Sequence, residues 1–420
     1  MQLNDWLSRL ERLHFKSIDM GLERIRAVAE RLNLLSDTPF IFTVAGTNGK
    51  GSTVALLDAF LRNSGLKTAV YTSPHLVRFN ERVCINGVEC SDRELIQAFE
   101  AVEAGREETS LTYFEFTTLA AIWLFKQAKL DAWILEVGLG GRLDAVNLWN
   151  ADVAVVTSID LDHQAWLGND RIAIGKEKIA VGRPGHPLVV GEPDFPEEVA
   201  QAALAGGMVM YRQGTEFSYH EQGETWQLSA LAGGNKQQYS GLTPPQVYLQ
   251  NAATAIQAVL LSSFDVSLPA IQSALSSVQP QGRRQILQRK PDLMVDVGHN
   301  PHAARALAIH IEQSDYRRVH CIVGMLADKD ITDTLMALLP AVDHWYPVAL
   351  DCDRAAEAGY LREQLLAMGA LCSSTGASPA TAARRLTKQA DENDLILVFG
   401  SFYTVADVIQ YVGSAHSEKG

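Results

Sequence analysis

The chain has 420 residues, 47% hydrophobic and 20% charged, the balance of a globular protein with material for two or three domains. Its formal net charge of −13 argues against general binding to nucleic acid or to an anionic membrane, so an anionic ligand would need locally concentrated basic groups. The five cysteines (Cys84, Cys90, Cys321, Cys352 and Cys372) lack C-x-x-C spacing, which fits reduced thiols in the cytoplasm rather than a disulfide framework or a zinc site. No apolar run of signal-peptide length opens the chain, and none reaches the roughly 18 residues of a membrane span.

Residues 1–38 read as helical, with Leu22, Ile25, Val28, Ala29 and Leu32 on one apolar stripe. The polar segment Lys16 to Glu23 has two readings: a cap on the second helix through Ser17 or Asp19, which the spacing favours, or a ligand contact. Phe40 to Val44 reads as a buried strand, Gly46 to Gly51 as a glycine-bearing turn, and the following residues as a helix with Val54, Leu57 and Leu61 on one face. Such a turn aims backbone N–H groups and the helix N-terminus at an anion, above all phosphate, and Lys50 adds a point charge. The order differs from G-x-x-x-x-G-K-[ST]: Gly51 follows the lysine, leaving Ser52 or Thr53 to supply the hydroxyl.

Thr68 to Ser73 reads as a second strand that Pro74 stops, leaving Ser73 and His75 at its carboxyl end, where open α/β sheets bind ligands. Residues 79–90 read as extended, with Asn86-Gly87 as a hairpin turn. Glu115 to Ala128 is apolar on nearly all sides and reads as a buried helix. The strand Asp131 to Val137 carries Glu136, a carboxylate that needs a cation or a donor. A second glycine-rich turn spans Gly138 to Ala145, and a strand from Ala151 to Ile159 leads into Asp160 and His163. Ser73, Glu136 and His163 thus follow three strand ends and together suit a mixed magnesium site, although each alone would equally serve a loop. Residues 171–182 read as a charged helix whose Arg171, Lys176 and Lys178 fit a solvated face. Pro187 to Gly191 reads as a strand, residues 207–243 as a small antiparallel insert, and Gln250 onward as a helix with Asn251 in its first turn. Near Gln279 to Gly282 the βα rhythm restarts, with strands expected at Asp292 to Val297, Arg318 to Val323, His344 to Val348 and Leu395 to Phe399.

These motifs resemble the folylpolyglutamate synthase and dihydrofolate synthase group of the Mur ligase superfamily over nearly the whole chain. The resemblance is carried by SIDMGLERI at 17–25, VAGTNGKGST at 44–53, TSPHLVRFNERV at 72–83, LTYFEFTTL at 111–119, ILEVGLGGRLDA at 134–145, LDHQAWLG at 161–168, EK at 177–178, QNAATA at 250–255, GRRQ at 282–285, DVGHNPHAA at 296–304, GMLADKD at 324–330 and FGSFYTVADV at 399–408. It implies an α/β protein: a P-loop ATPase domain over 1–281, with a central mostly parallel sheet, a small antiparallel insert and the pteroate site, then a smaller Rossmann-like domain over 282–420 on the glutamate side.

The implied reaction is ATP-dependent addition of L-glutamate to dihydropteroate and to the γ-carboxyl of reduced folates, through an acyl phosphate. By motif position, Thr47, Asn48, Gly49, Lys50, Gly51 and Ser52 would hold the ATP phosphates. Asn251, Arg283, Asp296 and His299 would also contact the nucleotide, so its ligands fall in both domains. Ser73, Glu136 and His163 would hold magnesium. Lys178 matches a lysine that is carbamylated in the superfamily, which would supply a ligand for a second ion. Lys50, Lys178 and His163 would form the catalytic set. Pteroate would lie near Ser17, Ile18, Asp19 and Met20, near Thr112, Tyr113, Phe114 and Glu115, and near Leu143, Asp144 and Ala145, with Phe114 packing on an aromatic ring. The resemblance implies a cytoplasmic monomer with no nucleic-acid or membrane partner.

The chain departs from the family pattern at Gln164 and Ala165, at Ile179 and Ala180, at Arg284 and at Gly298. The first two pairs stand next to proposed metal ligands and bear on the second metal site. The alternatives are a monofunctional folylpolyglutamate synthase and a nucleotide-binding homologue with impaired catalysis. A peptidoglycan-type Mur ligase is disfavoured because only about 40 residues precede Phe40, too few for its sugar-nucleotide domain.

Overall fold

The structure is a computed structural model in which residues 1–16 and 18–417 are described. The chain divides into two compact units, Met1–Val278 and Gln279–Gly420. Among the described residues, the first unit is built on strands β1 (Phe40–Ala45), β2 (Thr68–Tyr71), β3 (Val83–Ile85), β4 (Val88–Glu89), β5 (Ala132–Glu136), β6 (Val153–Val156), β7 (Pro187–Val190) and β8 (Val209–Arg212). They form one sheet in the order β4-β3-β2-β5-β1-β6-β7-β8. From β2 to β8 every pairing is parallel, and β3 and β4 add an antiparallel edge.

The central strands are continuously apolar because helices cover both faces, as a parallel sheet requires. Ile41, Trp133, Leu135 and Val156 join a cluster with Phe99, Phe116 and Phe125 on one face. Phe42, Val44, Ile134 and Val155 join Leu57, Phe60 and Ile256 on the other. Helix Lys50–Asn63 is therefore buried on more than the one face that its Val54, Leu57 and Leu61 stripe predicts. The register aligns Val44 with Glu136 and with Val155, and Tyr71 with Leu135. The loops after β1, β2, β5 and β6 consequently leave the sheet at one edge, the carboxyl ends of the strands.

The polar stretch around 207–243 divides differently from its sequence reading. β8 pairs in parallel with β7 and closes the large sheet; its partial exposure as an edge strand is what made it resemble the insert. The antiparallel insert is β9 (Ser218–Gln222), β10 (Thr225–Ala232) and β11 (Asn235–Leu242). On β10, Trp226, Leu228 and Ala230 alternate inward and pack onto the cluster containing helix Leu249–Leu260. Gln257 fixes the contact by exchanging two 2.9 Å hydrogen bonds with the Leu231 backbone.

The second unit carries β12 (Gln285–Gln288), β13 (Asp292–Asp296), β14 (Val319–Val323), β15 (His344–Pro347) and β16 (Leu395–Phe399) in the order β12-β13-β16-β14-β15. Its four apolar strands are parallel, and β12 is an antiparallel edge. The molecule is thus a two-domain α/β protein, a large mostly parallel sheet followed by a smaller parallel one.

Candidate active site

β1 passes into helix Lys50–Asn63 through a loop whose shape depends on two glycines. A Cβ on Gly46 (φ +150°) would lie 1.9 Å from Thr157 Oγ1, and one on Gly49 (φ +86°) would lie 2.4 Å from Asn251 Oδ1. The loop is fastened to the segment after β6. Thr47 N donates to Ser158 O at 2.9 Å, Asn48 N to Ser158 Oγ at 3.0 Å, and Thr157 Oγ1 to Asn48 O at 2.6 Å. These bonds explain why β6 stops at Val156 rather than at the expected Ile159: the next residues serve the loop. No side chain caps the helix, so its N-terminal partial charge faces the loop. Lys50 Nζ folds over it, donating to Gly46 O at 2.9 Å and Thr47 O at 3.3 Å. Thr53 is fully buried with its Oγ1 unpartnered, which leaves Ser52 as the candidate hydroxyl of the pair.

Beside the loop, Glu136 is buried at the end of β5 and accepts from Ser73 N at 3.3 Å. Helix Arg171–Ile179 is not the solvated face its charges suggested, because Ile174, Gly175, Lys178 and Ile179 are buried. Arg171 pairs with Asp194 at 2.8 Å, while Lys178 points inward. Burial first, and then the charge of Lys50, push the Lys178 ammonium down to about 7; Asp162 opposes the shift. Asp162, which the sequence reading left unassigned, therefore belongs to this cluster. His163 begins the short helix Gln164–Leu167 in a left-handed conformation (φ 53°), half-exposed, with Nε2 3.9 Å from Asp162 Oδ2. Among the described residues no three His, Cys, Asp or Glu side chains are grouped as a metal site. The hard oxygen donors of the candidate set are Ser73 and Glu136, and a carbamate on Lys178 would add another.

The glycine-rich turn after β5 is held by Asp144. Its Oδ2 accepts from Gly138 N (3.0 Å) and Leu139 N (2.9 Å), and its Oδ1 from Val146 N (3.0 Å). Burial raises its pKa to about 6 despite these bonds. Asp144 is thus a scaffold carboxylate, with Ala145 buried behind it and Leu143 exposed. Phe114 packs on Gly138, where a Cβ would come within 2.7 Å of its ring, and Leu167 and Met20 approach Gly140.

Ser17 lies outside the described residues. Asp19 does not cap the second helix, Glu23–Arg31, whose N-cap is Leu22 without a side-chain bond. It pairs instead with Arg24 Nη1 at 2.6 Å and His14 Nε2 at 3.3 Å. Arg24 Nη2 also reaches Glu115 Oε1 at 3.1 Å. The other Glu115 oxygen and Thr112 form a capping box on helix Tyr113–Gln127. Thr112 and Glu115 therefore hold the helix, and Arg24 ties Asp19 to it, with Ile18 and Met20 in the same loop. Tyr113 and Phe114 remain the aromatic surfaces of this region.

In the second unit, the buried Asp296 at the end of β13 accepts from Gly298 N (2.8 Å) and Arg284 N (2.9 Å), and burial raises its pKa. The neighbouring charges of Arg283 and Arg284 lower it in part. His299 Nδ1 lies 2.9 Å from Val297 O, which fixes that nitrogen as the donor. Asn300 caps helix Pro301–Glu312.

Residues 282–402 match the family model described as Mur ligase, glutamate ligase domain. The chain is 45% identical over 416 residues to the dihydrofolate synthase/folylpolyglutamate synthase of Escherichia coli K12, covering 99% of this chain and 96% of that protein. It resembles the structure of E. coli FolC in complex with DHPP and ADP at a TM-score of 0.94 and 44% identity, covering 99% of both chains. It also resembles a bifunctional folylpolyglutamate synthase/dihydrofolate synthase with Mn, AMPPNP and L-glutamate bound, at a TM-score of 0.90 and 47% identity, covering 99% of this chain and 98% of that one. The chain belongs to the dihydrofolate synthase/folylpolyglutamate synthase family.

Proposed function

We propose that this protein is an ATP-dependent ligase that joins L-glutamate to dihydropteroate and to the γ-carboxyl of reduced folates. The observation that carries the reading is the phosphate-type loop after β1, whose Gly46 and Gly49 admit no Cβ, with the buried Glu136 beside it and the buried Lys178 in the field of its Lys50. A carboxylate oxygen of the acceptor attacks the γ-phosphorus of ATP, ADP leaves, and an acyl phosphate forms. The glutamate nitrogen then attacks the acyl carbon, and inorganic phosphate departs as the amide forms. Thr47 to Ser52 and Lys50 hold the phosphates and stabilise the charge that develops on them. Asn251 adds to the nucleotide contacts in the first unit, and in the second unit Arg283, Asp296 and His299 stand at the positions that the family resemblance assigns to the nucleotide. Asp296 acts through the backbone it organises, since its oxygens already accept two N–H bonds. Magnesium, when bound, would offset phosphate charge; Ser73, Glu136 and His163 would hold one ion, and Lys178 as a carbamate would help to hold a second. The neutral amine of Lys178 is the form that adds to carbon dioxide. Phe114 and Tyr113 stack the pterin or benzoyl ring beside Met20 and Leu143. The ADP, AMPPNP, Mn, DHPP and L-glutamate named for the two similar structures support nucleotide, divalent-metal and substrate classes of this kind.

The same reading places the enzyme in the cytoplasm as a monomer. Its five cysteines are free thiols, and no helix among the described residues is long and apolar enough to cross a membrane.

Phosphate release from ATP with magnesium and L-glutamate, measured in parallel with dihydropteroate and with tetrahydrofolate, tests the reading. Turnover of both acceptors supports it. Turnover of the folate alone makes the enzyme monofunctional, and turnover of neither leaves a nucleotide-binding homologue. Glu136→Gln is expected to raise the magnesium concentration for half-maximal rate by about tenfold or more, because a ligand's charge is lost with little change of shape. An unchanged magnesium titration would remove Glu136 from the metal set.

A further inference from the structure

Arg82 is a buried arginine without a carboxylate partner. Only 8% of its surface is exposed. It ends the 3-10 turn Phe79–Arg82, and its guanidinium carbon sits 5.5 Å from the ring centroids of both Phe79 and Tyr113. Its Nε donates to Nδ1 of His75 at 2.8 Å. Among the described residues this is the side chain's one hydrogen bond, and it forms no ion pair. The nearby acid, Glu81, is occupied: its carboxylate accepts from the backbone N–H groups of Leu76, Val77 and Arg78 at 2.6 to 2.8 Å. Because His75 accepts through Nδ1, its ring proton sits on Nε2. The Arg82 Nη groups and His75 Nε2 thus form a fork of donors without an acceptor. None of these nitrogens is sealed from solvent, so a ligand carboxylate can reach the fork. The fork's position limits what the anion can be. His75 is two residues beyond Ser73, whose N–H bonds Glu136, and Tyr113 begins the aromatic helix end.

We propose that Arg82 and His75 bind the α-carboxylate of the terminal glutamate of a folate acceptor, the group that dihydropteroate lacks. The inference rests on the ligase reading above. It makes this pair specificity-determining: it serves glutamate-chain extension and not the first glutamylation. A bidentate guanidinium–carboxylate contact fixes the terminal glutamate so that its γ-carboxyl, rather than its α-carboxyl, meets the phosphate donor.

Wild-type turnover of both acceptors tests the ligase reading by itself. The inference is tested by the KM of Arg82→Gln for tetrahydrofolate and for dihydropteroate, with melting temperatures recorded alongside. The expected result is a rise of about 30-fold or more in the folate KM, the loss of a charge-assisted pair, against a change within about threefold for dihydropteroate. Arg82→Lys, which keeps the charge but not the fork, should fall between. A measurement on the unaltered protein covers the case in which the variants do not fold: tetrahydrofolate amidated at the α-carboxyl should have a KM raised by a similar factor. Equal losses for both acceptors would assign Arg82 to the reacting carboxylate or to the fold, and would overturn the proposal. An amidated folate used as well as the parent compound would overturn it too.

Discussion

Lys178→Ala is expected to lower turnover with either acceptor by about 10³-fold, on the scale of removing a charge-stabilising group from a water-poor site. Short carboxylates such as acetate should restore part of that rate by standing where the carbamate stood. The argument begins with burial. A buried amine in the field of the Lys50 charge holds its proton weakly; here the pKa falls to about 7. The neutral amine can then attack carbon dioxide near physiological pH, losing a proton to form an anion that the charge of Lys50 favours. Activity should therefore fall as pH drops below about 7 and recover with added bicarbonate. Lys178→Met makes the complementary prediction. The unfolded chain keeps this lysine protonated up to 10.5, and the folded chain only below about 7. Between those values the unfolded state binds more protons, so wild-type stability rises with pH across the window. In buffer free of carbon dioxide, Lys178→Met should be inactive yet more stable at pH 7 and below, by about 2 kcal/mol, with the gain shrinking as pH approaches 10.5. Denaturant melts at several pH values measure this. Full activity in Lys178→Ala would refute the carbamate assignment, and a Met variant no more stable at low pH would refute the burial argument.

The strands and the phosphate-type loop were legible because local chemistry dictates them. An apolar run meets two glycines that admit no Cβ, and a helix follows. Edge behaviour was not legible: β8 is half-exposed, and polarity alone could not separate it from the insert that follows. Side-chain roles were readable in type but not in partner. Asp19 was read as a cap because its position before a helix permits one, yet the nearby Arg24 takes it instead and reaches Glu115, 91 residues further on. Asp144 and Asp296 are assigned to ligands by motif position in the family resemblance. The oxygens of Asp144 accept from N–H groups of its own turn, and those of Asp296 accept from Gly298 N in its turn and from Arg284 N ahead of β12. Asp162 and Arg82 escaped notice for the converse reason: nothing in their neighbours' spacing says that one faces Lys178 or that the other lacks an acid.

Gly49→Ala is expected to abolish nucleotide binding, with an affinity loss of about 100-fold or more from displacing several N–H donors at once. Two separate effects act there. The backbone sits at φ +86°, which costs a non-glycine residue about 1 to 2 kcal/mol. The new Cβ would also meet Asn251 Oδ1 at 2.4 Å, and Asn251 is buried on helix Leu249–Leu260, where it has little room to withdraw. The two effects can be separated by a double-mutant cycle. Asn251→Ala alone should weaken nucleotide binding with a modest stability loss. In the Gly49→Ala background, the same change removes the clash and should recover about 1 kcal/mol or more of stability, while nucleotide binding stays lost. Thermal melts and titration with a fluorescent ATP analogue follow the two quantities independently. Strictly additive stabilities would mean that Asn251 does not pack over the loop, and its assignment to the nucleotide would lose its geometric basis. A favourable coupling in stability without rescue of binding would mean that Gly49 is required twice, once for the space that Asn251 fills and once for the backbone turn that aims the helix N-terminus at phosphate.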